Sequence, residues 1–253
     1  MSEQKKSYLE GGTVLTREDV DRLSGGTRRT MTSFTIPEGV TRIGEMAFYG
    51  CTALTSVTIP DSVTSIGEMA FYGCTGLTSV TIPDSVTSIG EDAFFGCTAL
   101  TSVTIPDSVT SIEWHAFFHC TSLTEISVAE NNPSYCSVNG VLFNKYRTTL
   151  ILCPFKIAWQ DFHVPDGVTS IGDDAFRNCT GLTSITIPDS VTSIGEKAFS
   201  GCTSLTSITI PSSVTFIGFC AFEDCDQLTA IVQPGSYAEA YCKENKIQYT
   251  YAS

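Results

Sequence analysis

The chain has 253 residues, of which 42% are hydrophobic and 16% are charged, a composition that excludes intrinsic disorder and predicts a folded protein. Asp and Glu outnumber Lys and Arg by 27 to 14, and the resulting net charge of −13 argues against a nucleic-acid partner, whose phosphates require basic side chains. Neither a signal peptide nor a run of 18 apolar residues is found, so we expect a soluble chain without membrane insertion.

The first predicted element is a short helix near the N-terminus. Thr16 precedes the stretch "REDVDRL", and a threonine in this position caps the first turn of a helix through its hydroxyl. We assign residues 1–31 to an N-terminal cap, because the terminal coil of a repeat array must be shielded from water.

The residues that follow repeat with a period of 23. Each repeat has a cysteine, a phenylalanine three positions before it and a leucine three positions after it, and the cysteines are Cys51, Cys74, Cys97 and Cys120, then Cys179, Cys202 and Cys225. A fixed period in the twenties is typical of a solenoid, in which each coil buries its apolar side by stacking on its neighbours. We therefore predict regular 23-residue repeats over residues 32–128 and 164–233.

One repeat predicts the path of a coil. In "LTSVTIP" the alternation of Val57 and Ile59 with polar residues indicates a strand, which Pro60 ends because it cannot donate to a ladder. The stretch "GEMAFYGC" predicts a single helical or 3₁₀ turn, with Gly67 permitting the bend. The spacing L-x-x-L-x-L is that of a leucine-rich repeat. The fold class is therefore a leucine-rich repeat solenoid, with a parallel β-sheet of short strands on one face and short helical or 3₁₀ turns on the other.

Residues 129–163 interrupt the repeats with a longer, irregular coil. Asn139-Gly140 precedes "VLF", "NKYRT" supplies a polar turn and "TLILC" returns, which together predict a β-hairpin insert. At the other end Ser236 precedes "YAEAYCKEN" and predicts a second capped helix, in a C-terminal helical cap of residues 234–253. We expect residues 1–253 to form a single domain.

The stretches "IPDSVTSIGEMAF" and "CTALTSVTIP" resemble the BspA-type leucine-rich repeat family of bacterial, and some protist, surface proteins. "NNPSYCSVNGVLFNKYRTTLILCP" resembles the hairpin-bearing coil of that family, and "PGSYAEAYCKENKIQY" resembles its closing cap. The resemblance covers about residues 32–251. It implies adhesion to host or neighbouring-cell proteins rather than catalysis, from a secreted or cell-surface position, although this chain shows no signal peptide.

Two clusters of metal-ligand residues have simpler interpretations. The seven repeated cysteines suggest disulfides or a metal site, but a position between buried Phe and Leu suits a small apolar side chain, and free cysteine is among the most buried residues. His115 and His119 are four apart, the spacing of a zinc pair on a helix, but no third and fourth ligand is evident. We expect no metal and no cofactor. Because no nucleophile motif accompanies the histidines, we also expect no enzyme activity.

Specific recognition should use the places where the repetition fails. The fourth repeat has "IEWHAFFHC" in place of "IGEMAFYGC", and the strand face, otherwise a ladder of Ser and Thr, changes in mid-array. The predicted binding residues are Trp114, His115, Glu125, Tyr146, Asp161 and His163. We expect a monomer that binds a protein partner, such as a host extracellular or neighbouring-cell protein. Packing of Trp114 beneath the hairpin is one alternative, and an intracellular structural scaffold is the alternative function.

Overall fold

The computed structural model describes residues 14–156 and 160–252. Part of the predicted N-terminal cap, residues 1–13, lies outside the described residues. Contacts divide the chain into two compact units, Met1–Tyr135 and Cys136–Ser253. In both units the described residues form parallel-strand β-solenoid turns, about nine in all, with few helices, which confirms the predicted fold class. That the whole chain is one domain stays a prediction.

The described part of the first unit contains one helix and short strands, two to four residues long. In chain order they are β1 (Val14–Leu15), α1 (Arg17–Leu23), β2 (Ser33–Thr35), β3 (Arg42–Ile43), β4 (Ser56–Thr58), β5 (Ser65–Ile66), β6 (Ser88–Ile89), β7 (Ser102–Ile105), β8 (Ser111–Ile112) and β9 (Glu125–Val128).

Each coil of this unit contributes to two parallel ladders. The first ladder is built from the "SVTI" stretches and pairs β2 with β4 and β7 with β9. Backbone hydrogen bonds continue it through the coil between them, where Thr78 donates to the Thr55 carbonyl at 3.3 Å. The second ladder follows the turn after the proline, in the order β1-β3-β5-β6-β8. Because the coils have the same length of 23 residues, equivalent residues lie opposite one another, as in the pairing of Ile66 with Ile89.

The "GEMAFYGC" segment is a run of separate turns rather than the predicted single helical or 3₁₀ turn. Its backbone N–H groups alternate between two kinds of acceptor. Ala47 donates to Gly44 in its own coil at 3.3 Å, whereas Phe48 donates to Ala70 of the next coil at 2.7 Å. This alternation requires a left-handed residue at Met46, with φ of 53°. Stacking therefore satisfies backbone groups that a helical turn would leave unpaired.

Gly67 has a role other than the predicted bend. A Cβ atom there would lie 2.8 Å from the Ile43 carbonyl oxygen and 2.9 Å from a backbone carbon of Gly44, so the glycine permits two coils to approach closely.

The core consists of stacked columns, as the repeat predicts. Phe71 and Phe94 are fully buried, with ring centroids 5.1 Å apart and planes within 5°. All eleven cysteines lie in the described residues and are free. Cys97 is buried beside these rings, and its thiol donates to the Phe71 carbonyl at 3.3 Å. The column position therefore combines apolar packing with one weak hydrogen bond.

The second unit begins within a strand and ends with the C-terminal cap. Its elements are β10 (Tyr135–Val138), β11 (Val141–Asn144), β12 (Thr149–Leu152), β13 (Asp161–His163), β14 (Ser170–Ile171), β15 (Ser184–Thr186), β16 (Ser193–Ile194), β17 (Ser207–Ile210), β18 (Phe216–Ile217), β19 (Thr229–Val232), α2 (Tyr237–Asn245) and β20 (Gln248–Tyr251). The first ladder has the order β13-β15-β17-β19-β20, and the second has β10-β11-β12-β14-β16-β18.

The predicted hairpin is present, with one difference. Strands β11 and β12 pair antiparallel across residues 145–148. The return strand β12 also pairs in parallel with β14, with Leu150 opposite Ile171, so it supplies the second-ladder strand of its coil rather than projecting from the solenoid. Asn139 and Gly140 both have positive φ and connect β10 to β11, as expected for the dipeptide that forms the tightest hairpin turns.

Both predicted helices are confirmed with the predicted limits. Thr16 caps α1 and forms a capping box with Asp19, and Ser236 caps α2 by accepting from the Glu239 amide. Helix α2 packs on β18, β19 and β20. The C-terminal cap also contains β20, a strand that the sequence analysis did not predict. No helix in residues 14–156 or 160–252 is long and apolar enough to cross a membrane.

Candidate protein-binding surface

The regular strand face presents hydroxyl groups, many of which are used within the fold. In most regular coils the hydroxyl of the threonine that precedes the first-ladder strand donates to the backbone carbonyl of the equivalent residue one coil earlier, which is itself a threonine except for Gln160, the acceptor of Thr183. Thr55 donates to Thr32 at 2.8 Å, and Thr124 donates to Thr101 at 3.0 Å. These threonines therefore stabilise the stacking of coils, which explains their repetition without a ligand.

The three charged positions predicted on the strand face are exposed in their respective units. In the first unit Glu125 lies opposite Ser102, and its carboxylate accepts from the Ser127 hydroxyl at 2.7 Å. In the second unit Asp161 and His163 both point outward from β13, and Asp161 accepts a hydrogen bond from Ser184. Each acid is thus held by a neighbouring serine while it remains accessible to solvent.

Trp114 and His115 lie together in the turn segment of the fourth coil. The Asp92 amide donates to the Trp114 carbonyl at 3.0 Å, the bond that elsewhere joins Met69 to Glu91. Trp114 therefore occupies the column position of Glu91. Its side chain is 58% exposed and stacks on the His115 ring with centroids 4.1 Å apart.

His115 joins this tryptophan to the interior of the segment. Its ring also stacks on Phe118, at 4.8 Å, and its Nδ1 lies 3.8 Å from Oδ1 of Asp92. Burial raises the pKa of the Asp92 carboxyl above its ordinary value, and the opposing influence of His115 is smaller. His115 and His119 each have positive φ, so they do not share the helical face that a zinc pair would need. Among the described residues no three His, Cys, Asp or Glu side chains lie close enough to hold a metal ion.

Tyr146 is the most exposed large hydrophobic side chain among the described residues of the second unit, at 84%. It lies in the loop between β11 and β12, which Asn144 organises. The Asn144 amide oxygen accepts from the backbone of Thr148 at 2.9 Å and of Thr149 at 3.1 Å. The tyrosine is therefore presented on a short loop with internal hydrogen bonds.

The structure brings some of the six predicted residues together and separates others. Trp114 and His115 are in ring contact, and Asp161 and His163 share one strand. Glu125, in contrast, lies on the first ladder, whereas Trp114 lies in the turn segment that follows the second ladder. The three residues predicted in the first unit are therefore divided between two segments of the chain, the turn segment and the first-ladder strand.

Two sets of exposed aromatic side chains are not among the predicted binding residues. In the first unit Tyr49, Tyr72 and Phe95 stack in a partly exposed column, with centroids 5.0 and 4.7 Å apart. In the second unit Phe216 and Phe219 are 53% and 74% exposed. Alignment of the coils could have found both sets, because Phe219 stands in the column of Glu196.

The chain matches a family model described as BspA type leucine-rich repeat region, in six copies over residues 27–139 and 155–248. No curated protein matches it. Among solved structures it is similar to a leucine-rich repeat protein from Eubacterium ventriosum, with 29% identity, a TM-score of 0.70 and coverage of 82% of this chain. The present chain covers 62% of that one.

Two further solved structures are similar. A leucine-rich cell surface protein from Faecalibacterium prausnitzii shares 31% identity with a TM-score of 0.55, and the match covers 88% of this chain and 79% of that one. The pneumococcal vaccine antigen PcpA has 18% identity and a TM-score of 0.54, and the match covers 88% of this chain and 79% of that one. At this identity the similarity supports the fold alone.

Proposed function

We propose, from the premise that the chain belongs to the BspA-type leucine-rich repeat family, that it is a non-enzymatic protein-binding and adhesion module of a bacterial cell-surface or secreted protein. The family is one of protein-interaction repeats, and one similar structure is that of a cell surface protein. The physical basis is that stacked coils bury their core through neighbours and leave long faces free for a partner.

The observation that carries this proposal is the exposure of large aromatic side chains where the repeat is broken. Trp114 is 58% exposed, in a column position that holds Asp or Glu in the other regular coils except the last, which has Phe219. Tyr146 is 84% exposed and belongs to the hairpin insert, which the regular coils lack. Aromatic residues supply much of the binding energy at protein interfaces, and residues unique to one coil provide a distinct contact that repeated residues cannot. Trp114, His115 and Glu125, together with Tyr146, Asp161 and His163, are the proposed contact residues.

A capture experiment with paired variants tests this function. The protein is immobilised and exposed to serum or host-cell lysate, and retained proteins are identified and titrated. We expect Trp114→Ala and Tyr146→Ala each to reduce the binding free energy of the retained partner by about 1–2 kcal/mol or more. The matched substitutions Ser79→Ala and Thr81→Ala, on the regular strand face, should have little effect.

Greater damage from the strand-face variants would show that recognition uses the repeated face, and retention of no protein would count against a binding module. The alternative of an intracellular scaffold presents the same surface to a different partner. Location of the native protein in cells by fractionation separates the two.

A further inference from the structure

The turn segments of the first unit align glutamates in a column along successive coils. The Met46 amide donates to the Glu68 carbonyl at 3.0 Å, and the Met69 amide donates to the Glu91 carbonyl at 2.9 Å. Glu45, Glu68 and Glu91 are all exposed. In the next coil Trp114 takes the same position, so the column of three carboxylates ends at a large aromatic ring.

A column of aromatic rings runs beside these glutamates. Tyr49 and Tyr72 stack at 5.0 Å, and Tyr72 stacks on Phe95 at 4.7 Å. The two columns meet in the fourth coil, where Trp114 stacks on His115 and His115 stacks on Phe118. We define the acidic–aromatic surface as Glu45, Glu68, Glu91, Tyr49, Tyr72 and Trp114, whose two columns belong to the same turn segments of successive coils.

Basic side chains adjoin the first coil of this surface, where Arg42 lies three residues before Glu45 and the buried Arg28 donates to the Tyr49 carbonyl at 2.5 Å. The later coils of the surface contribute no Lys or Arg. All residues from Arg42 to Lys145 are described, and no Lys or Arg lies between these two positions. The same stretch contains further exposed acids on the turn after the first ladder, among them Asp61 and Asp84. Like charges stacked about 5 Å apart repel one another, so a cation that pairs with them relieves the repulsion.

The second unit provides an internal comparison. Its equivalent column consists of Asp173, Glu196 and Phe219, but Lys197 donates to Glu196 at 2.9 Å, and Arg177 pairs with Asp174 beside it. The aromatic column is also missing, because Arg177, Ser200 and Glu223 hold the positions of Tyr49, Tyr72 and Phe95. The acidic–aromatic combination is thus specific to the first unit.

We propose that the acidic–aromatic surface docks an extended, Lys/Arg-rich segment of a partner protein, an inference that rests on the proposed binding function and names its partner class. A guanidinium group stacks on an aromatic face and pairs with carboxylates, and Trp114 and the glutamates present both. A single exposed ion pair contributes little to the binding free energy. Binding therefore needs both the aromatic ring of Trp114 and several glutamates in the column. The column spans about 15 Å, the length of roughly five residues of extended chain.

The test uses a labelled octapeptide of alternating Arg and Ser, titrated with the whole protein by fluorescence anisotropy. A peptide with Glu in place of Arg is the negative probe. We expect saturable binding of the cationic peptide at about 20 mM NaCl, weakened at about 150 mM NaCl. In a Trp159→Phe background Trp114 is the one tryptophan of the chain, and its fluorescence should change on binding.

Matched variants separate a site from general attraction to a protein of net charge −13. Glu68→Gln/Glu91→Gln should lower the affinity about ten-fold, whereas Asp61→Asn/Asp84→Asn, with the same loss of charge, should lower it less than about two-fold. Trp114→Ala should weaken binding several-fold, and Phe219→Ala should leave it unchanged. Circular dichroism of each variant verifies that the coils remain folded.

An equal loss in the two double variants would overturn the proposal, because it would show attraction to net charge alone. Absence of binding at low salt, or equal binding of the Glu peptide, would also overturn it. The proposed function would survive either result if serum or lysate still yields a partner that depends on Trp114 and Tyr146. If the cationic peptide binds as expected but serum or lysate yields no such partner, the result contradicts the proposed function instead.

Discussion

Each buried cysteine of the repeat fills space and makes a directional contact. The Cys120 thiol donates to the Phe94 carbonyl at 3.2 Å, and the Cys202 thiol donates to the Phe176 carbonyl at 3.0 Å. Burial raises the pKa of the Cys120 thiol to about 12, so this group remains protonated and able to donate at physiological pH. A column of thiols is therefore explained by packing and hydrogen bonding, without metal or disulfide chemistry.

The first prediction concerns one ring of the phenylalanine column. Phe94 is fully buried between Phe71 and Phe117, at centroid distances of 5.1 and 5.3 Å. We expect Phe94→Ala to lower the free energy of unfolding by about 3–5 kcal/mol, because coils held by ladders on both sides cannot collapse into the cavity. Urea denaturation measures the change.

Phe219→Ala is the matched control for this substitution. The Phe219 side chain is mostly exposed, so its removal should change the free energy of unfolding by less than about 0.5 kcal/mol. If Phe94→Ala and the parent protein had the same free energy of unfolding, packing of Phe94 in the core would not contribute to stability.

At the scale of an element, the C-terminal cap depends on one carboxylate. Glu239 in α2 accepts from the Lys243 ammonium at 2.6 Å, the Gly235 amide at 2.6 Å and the Tyr251 hydroxyl at 2.8 Å. The Lys243 bond, followed by the other two, lowers the pKa of Glu239 from 4.5 to about 2. Three parts of the cap, namely the entry turn, α2 and β20, are thereby joined at a single side chain.

This geometry predicts how the cap responds to acid. Because the folded-state pKa is lowered, the stabilisation by Glu239 is fully present above pH 4.5 and is lost as the pH falls toward 2. Glu239→Gln should therefore speed amide hydrogen exchange in α2 at pH 7, and this difference from the parent should shrink as the pH falls toward 2. Glu244→Gln, on the exposed side of the same helix, is the control and should have little effect at any pH. A difference that is independent of pH would refute the role of the charge.

At the scale of the whole molecule, the excess of acids sets the response to salt. The chain carries a net charge of −13, and no Lys or Arg follows Arg42 within the first unit. We expect the Tm to rise as NaCl increases from about 10 mM to about 200 mM, because the Debye length falls from about 30 Å to below 10 Å and repulsion between acids weakens.

Scanning calorimetry at fixed pH measures this salt response. Glu68→Gln/Glu91→Gln should reduce the rise in Tm, because two of the stacked charges are removed. If added NaCl left the Tm of the parent protein unchanged, repulsion among the acids would not be a significant cost of folding.

The sequence by itself determined the coil length, the buried columns, the hairpin and both helix caps. A period of 23 residues with the same apolar positions in each copy allows one stacked register, and Thr16 and Ser236 begin helices through contacts three residues away. These features depend on side-chain type at fixed spacing, which can be read from one chain.

The tertiary structure alone decided the path of the turn segment and the exposure of the candidate site. Residues as different as Met46, Asp92, His115, Lys197 and Cys220 all adopt positive φ at the same position, so no residue type signals it there. At Met46, Asp92 and Lys197 the backbone N–H of this residue donates to the next coil. In the fourth coil His115 has the same positive φ, and the exposed Trp114 ring stacks on the His115 ring. A contact between coils has no local signature in sequence, because its partner groups are backbone atoms that every residue possesses.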